Sequence, residues 1–388
     1  MMTDLFDELT AQLAAAHALR RRLHASPDVS GDESATRETV LSALPAGVGS
    51  AGVAGTGAVV RIGGPGPAVG LRAELDALEV TETTGIEWAS RRTGLMHACG
   101  HDVHLAAAVA VARAVHAVGG PAPLLLVLQP REESYPSGAR DVVESGALAV
   151  HGCAAMIGAH VQPVLAPDVV ACVPGGVNAS SDEFELLVTG EPGHAAYPHL
   201  ARDPVHALAQ IVVAVQSIVS RNLDPMSPAV VGVSSLRAGA AANVVPGTAH
   251  ASGTIRALSP ETRLLLHQRV TEVAEGVARA HGCEAKVSVT HGEPVLTNDP
   301  ALAELAAGQL RRRGLTVCET LRSAGADDFS YYGEQVPSLM LFVGTDTDVP
   351  LHSDTFLPTE SDLARVATTM LAAYLAAADH LTNPAPTR

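Results

Sequence analysis

The sequence predicts a mixed α/β fold. A largely parallel sheet is sandwiched by helices and interrupted by an inserted α+β unit with a four-stranded antiparallel sheet and two helices. Three observations lead there. From residue 57 onward, apolar runs of strand length alternate with helix-length segments, as in a parallel sheet covered on both faces. In the middle of the chain the strands instead alternate apolar and polar residues, the mark of a sheet wet on one face. Two stretches rich in Gly and Pro, "VPGGVN" (173–178) and "HGEPV" (291–295), bracket that middle part as hinges. The expected division is 1–176 with 293–388 as one domain and 177–292 as the insert.

In chain order, the start "MMTDLFDELTAQLAAAHALRRRLH" is an amphipathic helix, with Leu5, Leu9, Leu13 and Ala16 at helical spacing. "GAVVRIG" and "PAVGLRAEL" read as a strand pair. "HLAAAVAVARAVHAV" (104–118) is an apolar, Ala-rich helix buried on most faces, and "PLLLVLQ" (123–129) a strand covered on both sides. A helix over 138–148 and a strand over 153–160 follow. The insert then reads β-α-β-β-α-β: strand 180–190, helix 203–222, strands 229–239 and 247–258, a helix near 260–281 and strand 284–292. Afterwards "PSLMLFVG" (337–344) returns to the buried-strand pattern, a last helix covers about 360–379, and the tail "TNPAPTR" (382–388) is expected to fray.

Composition narrows the function. The 388 residues are 47% hydrophobic and 17% charged, with mean hydropathy +0.21, which describes a well-packed globular chain. No apolar run reaches the roughly 18–20 residues of a membrane span. A net charge of −16 repels phosphate backbones and anionic lipid, so neither nucleic acid nor membrane is an expected partner. The first residues lack a basic segment ahead of an apolar run, and a cytoplasmic location is expected. Five scattered cysteines (Cys99, Cys153, Cys172, Cys283, Cys318) argue against a disulfide framework. All but Cys99 are expected to be small apolar fillers.

The polar residues converge on strand ends, where open α/β sheets bind ligands. "LMHACGHDVHLAA" (95–107) holds His97, Cys99, His101, Asp102 and His104 around a helix start. Glu132 and Glu133 follow the strand 123–129, His160 ends the strand 153–160, and His352 follows the strand 337–344. Together they supply a thiolate, one or two carboxylates and three imidazoles, about what a dinuclear Zn, Mn or Co site requires. A carboxylate beside a metal-bound water can take its proton while the metals polarise a scissile carbonyl. One glutamate as ligand and its neighbour as base divides that labour, provided the backbone bends near Pro130.

These segments resemble the aminoacylase-like dinuclear metallohydrolases, and within them the branch of hippurate hydrolases, indole-acetyl-amino acid hydrolases and bacterial N-acyl-amino acid amidohydrolases. The resemblance covers nearly the whole chain. It rests on "RRRLHASPDVSGDESAT" (20–36), "LRAELDALEV" (71–80), "MHACGHDVH", "QPREE", "GAHVQP", "GHAAYPH" (193–199), "ANVVPG" (242–247), "GTIR" (253–256), "GADDF" (325–329) and "LHSDTF" (351–356).

The resemblance implies that Cys99, His101, Glu133, His160 and His352 bind two divalent metals (Zn, Mn, Co or Ni), with Glu132 as general base. It implies that the insert is a lid and dimerisation module, that His194 helps hold the oxyanion, and that Asn243 and Arg256 hold the substrate carboxylate. Asp76, His97, Asp102 and Asp328 are placed beside the ligands, supporting them or facing substrate, while His104 is read as structural. The expected reaction is hydrolysis of an N-acyl-amino acid by a homodimer, with a dipeptidase or carboxypeptidase on the same site as the alternative. One departure stands out. After the glutamate pair the family runs into glycines, whereas "SYPSGA" (134–139) stands here and should stiffen the loop and reshape the pocket.

Overall fold

The computed structural model describes residues 2–383, which form two compact units. The first comprises the chain up to Gly175, Thr297–Leu321 and everything from Asp328 on; the second comprises Gly176–Leu296 and Arg322–Asp327.

The first unit opens with helices α1 (Met2–Ala25) and α2 (Ser34–Ala43), then strands β1 (Ser50–Val53), β2 (Gly57–Ile62) and β3 (Ala68–Glu74). Helix α3 (His101–Val118), β4 (Leu124–Gln129), α4 (Gly138–Glu144), α5 (Ala147–Val150), β5 (Cys153–Gln162) and β6 (Val169–Ala171) follow. After β7 (Gly175–Asn178) come the elements of the second unit: β8 (Asp182–Thr189), β9 (Gly193–His194), α6 (Pro204–Asn222), β10 (Ala229–Ala238), β11 (Val244–Val245), β12 (Thr248–Ala257), α7 (Pro260–Ala280) and β13 (Glu284–Thr290). The chain returns through β14 (Leu296–Asn298) to α8 (Pro300–Arg312), β15 (Thr316–Cys318), α9 (Ser330–Gly333), β16 (Ser338–Gly344) and α10 (Glu360–Thr382). Of the expected frayed tail, residues 384–388 lie outside the described residues, and α10 runs through Thr382.

The sheet of the first unit runs β1-β2-β4-β3-β5-β16-β6-β15. Its centre, β4-β3-β5-β16, is parallel throughout. β2 is not a neighbour of β3, as a strand pair would require; β4 lies between them, antiparallel to β2 and parallel to β3. Both expected strands are buried almost throughout, so nothing in their pattern says which strand each one meets.

β3 shows how the sheet is covered. Val69, Leu71 and Ala73 join the main core with α1, α3 and α10, while Arg72, on the other face, lies over the Phe329 ring just ahead of α9. Helix α8 is not among the expected elements, although Asp299 caps it and Pro300 occupies its first turn. Leu302, Ala303, Ala306, Ala307 and Leu310 form its buried stripe. Helix α2 is not among them either, because it buries only Thr36 and Val40. The helix expected over 138–148 breaks into α4 and α5 at Gly146, which is left-handed (φ 72°).

In the second unit the sheet order is β10-β12-β8-β13, all antiparallel. Phe184, Leu186 and Val188 of β8 pack with α6 and α7, and the intervening Glu183 and Glu185 are exposed.

Candidate metal centre

The expected ligands come from four places in the first unit. Cys99 and His101 flank Gly100, whose φ of 84° opens α3. That turn packs against β5: a Cβ on Gly100 would lie 2.6 Å from Val161 Cγ2, so the position needs glycine. Glu132 and Glu133 follow Arg131, which is left-handed (φ 51°), and His352 is left-handed too (φ 66°). Such a conformation costs a residue with a Cβ about 1–2 kcal/mol, and strain of this kind collects at functional sites. Hydrogen bonds hold both turns. His352 N–H donates to Ala98 O at 2.9 Å, and Gly138 N–H donates to Arg131 O at 3.0 Å, closing the 131–138 loop.

Cys99 Sγ lies 3.4 Å from His160 Nε2, His352 Nε2 lies 3.4 Å from Glu133 Oε1, and His101 Nε2 lies 3.8 Å from Glu132 Oε2. Two groups of candidate ligand atoms, Cys99/Glu133/His352 and His101/Glu132/Glu133, each fall within 4.8 Å, and Glu133 belongs to both. All six residues expected at the centre are therefore brought together.

Divalent cations fit this set. The wholly buried His101 Nε2 has no hydrogen-bond partner and Glu133 Oε1 has only the 3.4 Å approach of His352, and such groups are costly unless something completes them. His101 Nδ1–H donates to Asp76 O at 2.8 Å, which leaves the Nε2 lone pair facing the cluster, as in a metal-ligating histidine. Burial, with Glu133 beside it, pushes the Cys99 thiol well up, so a thiolate here needs a cation partner. Burial also works against the charge on Glu133, but His352 and His101 outweigh it and hold the carboxyl below its usual range.

The supporting residues differ in what they touch. Asp76 Oδ2 accepts from Glu133 N–H (2.9 Å) and Ser30 Oγ–H (2.7 Å), so it holds the backbone of a candidate ligand residue. Asp102 is buried and accepts at Oδ2 from Arg20 Nε (3.0 Å) and His24 Nδ1 (3.0 Å), which ties α3 to α1. Burial opposes a charge on His24, but Asp102 and Glu82 prevail and raise its pKa to about 9. His97 is wholly buried with neither ring nitrogen hydrogen-bonded, and burial lowers its pKa to about 4. Asp328 accepts from Arg72 (2.8 Å), Gln129 (2.8 Å), Ser137 Oγ (2.6 Å) and Ala139 N (3.1 Å). It thereby anchors the loop that follows the glutamates, at whose tip Tyr135 is 64% exposed.

The chain belongs to peptidase family M20/M25/M40. That family's profile matches residues 70–376. A relative from Bacillus subtilis named N-acetyl-L-cysteine deacetylase is 35% identical over 357 residues, 90% of this chain and 85% of that protein. N-acetyldiaminopimelate deacetylase from Listeria monocytogenes is 36% identical over 351 residues, covering 88% and 94%. The crystal structure of Bacillus subtilis YXEP protein, described as a dinuclear metal binding peptidase from the M20 family, superposes with a TM-score of 0.83 at 29% identity, covering 95% of this chain and 98% of that one. This M20 chain is accordingly a hydrolase of amide bonds.

His194, Asn243 and Arg256 lie in the second unit. His194 and Asn243 sit on the β9–β11 ribbon, where His194 pairs with Val244 and Ala195 N–H donates to Asn243 O at 3.0 Å. Ala196 N–H donates to His194 Nδ1 at 3.0 Å, which puts the ring proton on Nε2. Arg256 stands on β12 opposite Val230 of β10 and is half-buried.

Glu74 is not among the expected site residues, and His104 is expected to be structural. Both are wholly buried, and their atoms fall within 4.8 Å of His101 and His160. The available signal is the alternation of Arg72 and Glu74 along a strand with no exposed face, continued by the buried Asp76 just past its end, where charges must meet one another.

Proposed function

We propose that this M20 enzyme hydrolyses N-acyl-amino acids to a carboxylate and a free amino acid, with two divalent cations held by Cys99, His101, Glu133, His160 and His352. The observation that carries the reading is Glu133 in two overlapping groups of ligand atoms with the Glu132 carboxylate beside them. When bound, the cations would polarise the scissile carbonyl and bring the attacking water toward hydroxide at neutral pH. Glu132 Oε2 takes a proton from that water and returns it to the leaving nitrogen, which departs as the amine.

His194 donates from Nε2 to the developing oxyanion, because Ala196 holds the opposite nitrogen as an acceptor. Arg256 and Asn243 bind the free carboxylate of the substrate, a planar anion suited to a guanidinium. The names of the two relatives make N-acetyl groups, on cysteine or on diaminopimelate, the first to test.

A homodimer through the second unit accompanies this reading. Its lid and dimerisation role, with the insert bounded near 177–292, is supported by the edge strand β10, which is ten residues long and exposes Val230 and Leu236. The five free cysteines fit a reducing, cytoplasmic setting.

The test is a hydrolysis screen of N-acetyl-, N-benzoyl- and indole-acetyl-amino acids with Zn, Mn, Co or Ni added singly, and dipeptides included. Release of free amino acid from N-acyl substrates only with metal is expected. Turnover of dipeptides alone would overturn the substrate class.

A further inference from the structure

His104 lies one helical turn beyond His101 and is wholly buried. Both ring nitrogens are engaged. Nδ1–H donates to Glu74 Oε2 at 3.0 Å, and Nε2 accepts the Val161 N–H at 3.0 Å. A carboxylate accepts and a backbone N–H donates, so these partners define a neutral ring with its proton on Nδ1. With no free lone pair, His104 is not a ligand itself, although its atoms lie within 4.8 Å of those of His101 and His160. The other oxygen of Glu74 pairs with the Arg72 guanidinium, which in turn reaches Asp328. The acceptor that orients His104 is therefore itself fixed.

The Val161 bond has a topological cause. Pairing of β3 with β5 runs to Leu71 opposite Ile157 and stops, while β16 continues along the other side of β5 to Gly344. Met156 N–H donates toward the β16 side, to Pro337 O, so by alternation the Val161 N–H faces the side that β3 has left. His104 takes the place of the missing strand. Its ring centroid is 4.5 Å from that of His160, the residue before Val161, and 5.6 Å from that of His101. One side chain thus fastens the helix that carries His101 to the strand end that carries His160.

We propose that His104, held by Glu74, is a positioning residue that sets the placement of His160 relative to His101 and so the affinity of the metal pair. This rests on the ligand assignment above. Two variants separate hydrogen bonding from packing. In His104→Gln the side-chain amide donates to Glu74 while its oxygen accepts from Val161; His104→Asn is too short to reach both.

The measurement is Co(II) binding to the apo full-length protein by competition with a chromophoric chelator. The Cys99 thiolate-to-cobalt absorption band and the apo melting temperature are read in parallel. Wild type is expected to bind two Co(II), and fewer would overturn the ligand assignment and the proposal with it. His104→Gln should stay close to wild type, whereas His104→Asn should bind about 10–100-fold more weakly with an altered band, the loss typical when a ligand's hydrogen-bonded support is removed. Leu208→Ala, in the core of the second unit, should leave Co(II) affinity unchanged. Equal affinity and spectra for the Asn and Gln variants would overturn the proposal. So would a loss of affinity in the Leu208 variant equal to that of His104→Asn.

Discussion

At the scale of single residues, tautomers carry much of the argument. His194 has its Nδ1 occupied by the Ala196 N–H, so the opposite nitrogen is a donor without any protonation. Removing one oxyanion donor costs about 10²–10³ in kcat, and His194→Ala should fall in that range in steady-state assays. His194→Gln, whose amide reaches as far as Nε2, should recover part of the loss with little change in metal content. Equal activity of the Ala and wild-type enzymes would remove His194 from the reaction. Cys99, His101, Glu132 and Glu133 were legible as candidates because their motifs are local: Cys99 and His101 lie two positions apart, and Glu132 and Glu133 are adjacent. Glu74 and His104 were not, because what makes them important is a backbone N–H from residue 161, on another element. No spacing in the sequence encodes that meeting.

At the scale of elements, the start of β8 is held by a buried charge. Asp182 is shielded from solvent and accepts from Arg263 Nε (2.7 Å), Arg263 Nη2 (2.5 Å), His267 Nε2 (2.7 Å) and Gly292 N (3.1 Å). These bonds join β8 and α7 to Gly292, two residues past β13, where the insert is expected to end. Burial would raise the pKa of Asp182, but Arg263 and His267 hold it below the ordinary carboxylate value. A carboxyl depressed in the folded state adds stability above its unfolded pKa, near 3.9, and loses it as pH falls through the folded value. Asp182→Asn should therefore destabilise the second unit by about 3 kcal/mol at pH 7. The difference from wild type should shrink below about pH 4. Calorimetry of both proteins across that range checks this, and a penalty independent of pH would contradict the assignment.

Strand and helix identity was readable from period and length, as in β8, with its alternating faces, and α3, with its apolar run. The order β2-β4-β3 was not, since a strand buried on both faces has no preferred neighbour written into it. Arg322–Asp327, which returns to the second unit after β15, carries no hydrophobic period that would assign it to either.

For the whole molecule, the proposed hydrolysis depends on divalent cations at the candidate metal centre of the first unit. Dialysis against a chelator should abolish turnover, and Zn, Mn or Co added back should restore it. The holo-protein should also melt higher than the apo-protein, because a ligand of the native state stabilises by mass action. Unchanged activity after verified metal removal would contradict the dinuclear reading. The most direct measurement pairs metal analysis with turnover in Glu132→Gln. The predicted result is two metals per chain, as in wild type, with N-acyl-amino acid hydrolysis reduced by about 10²–10⁴, the usual contribution of a general base. Near-wild-type turnover in that variant would contradict the account.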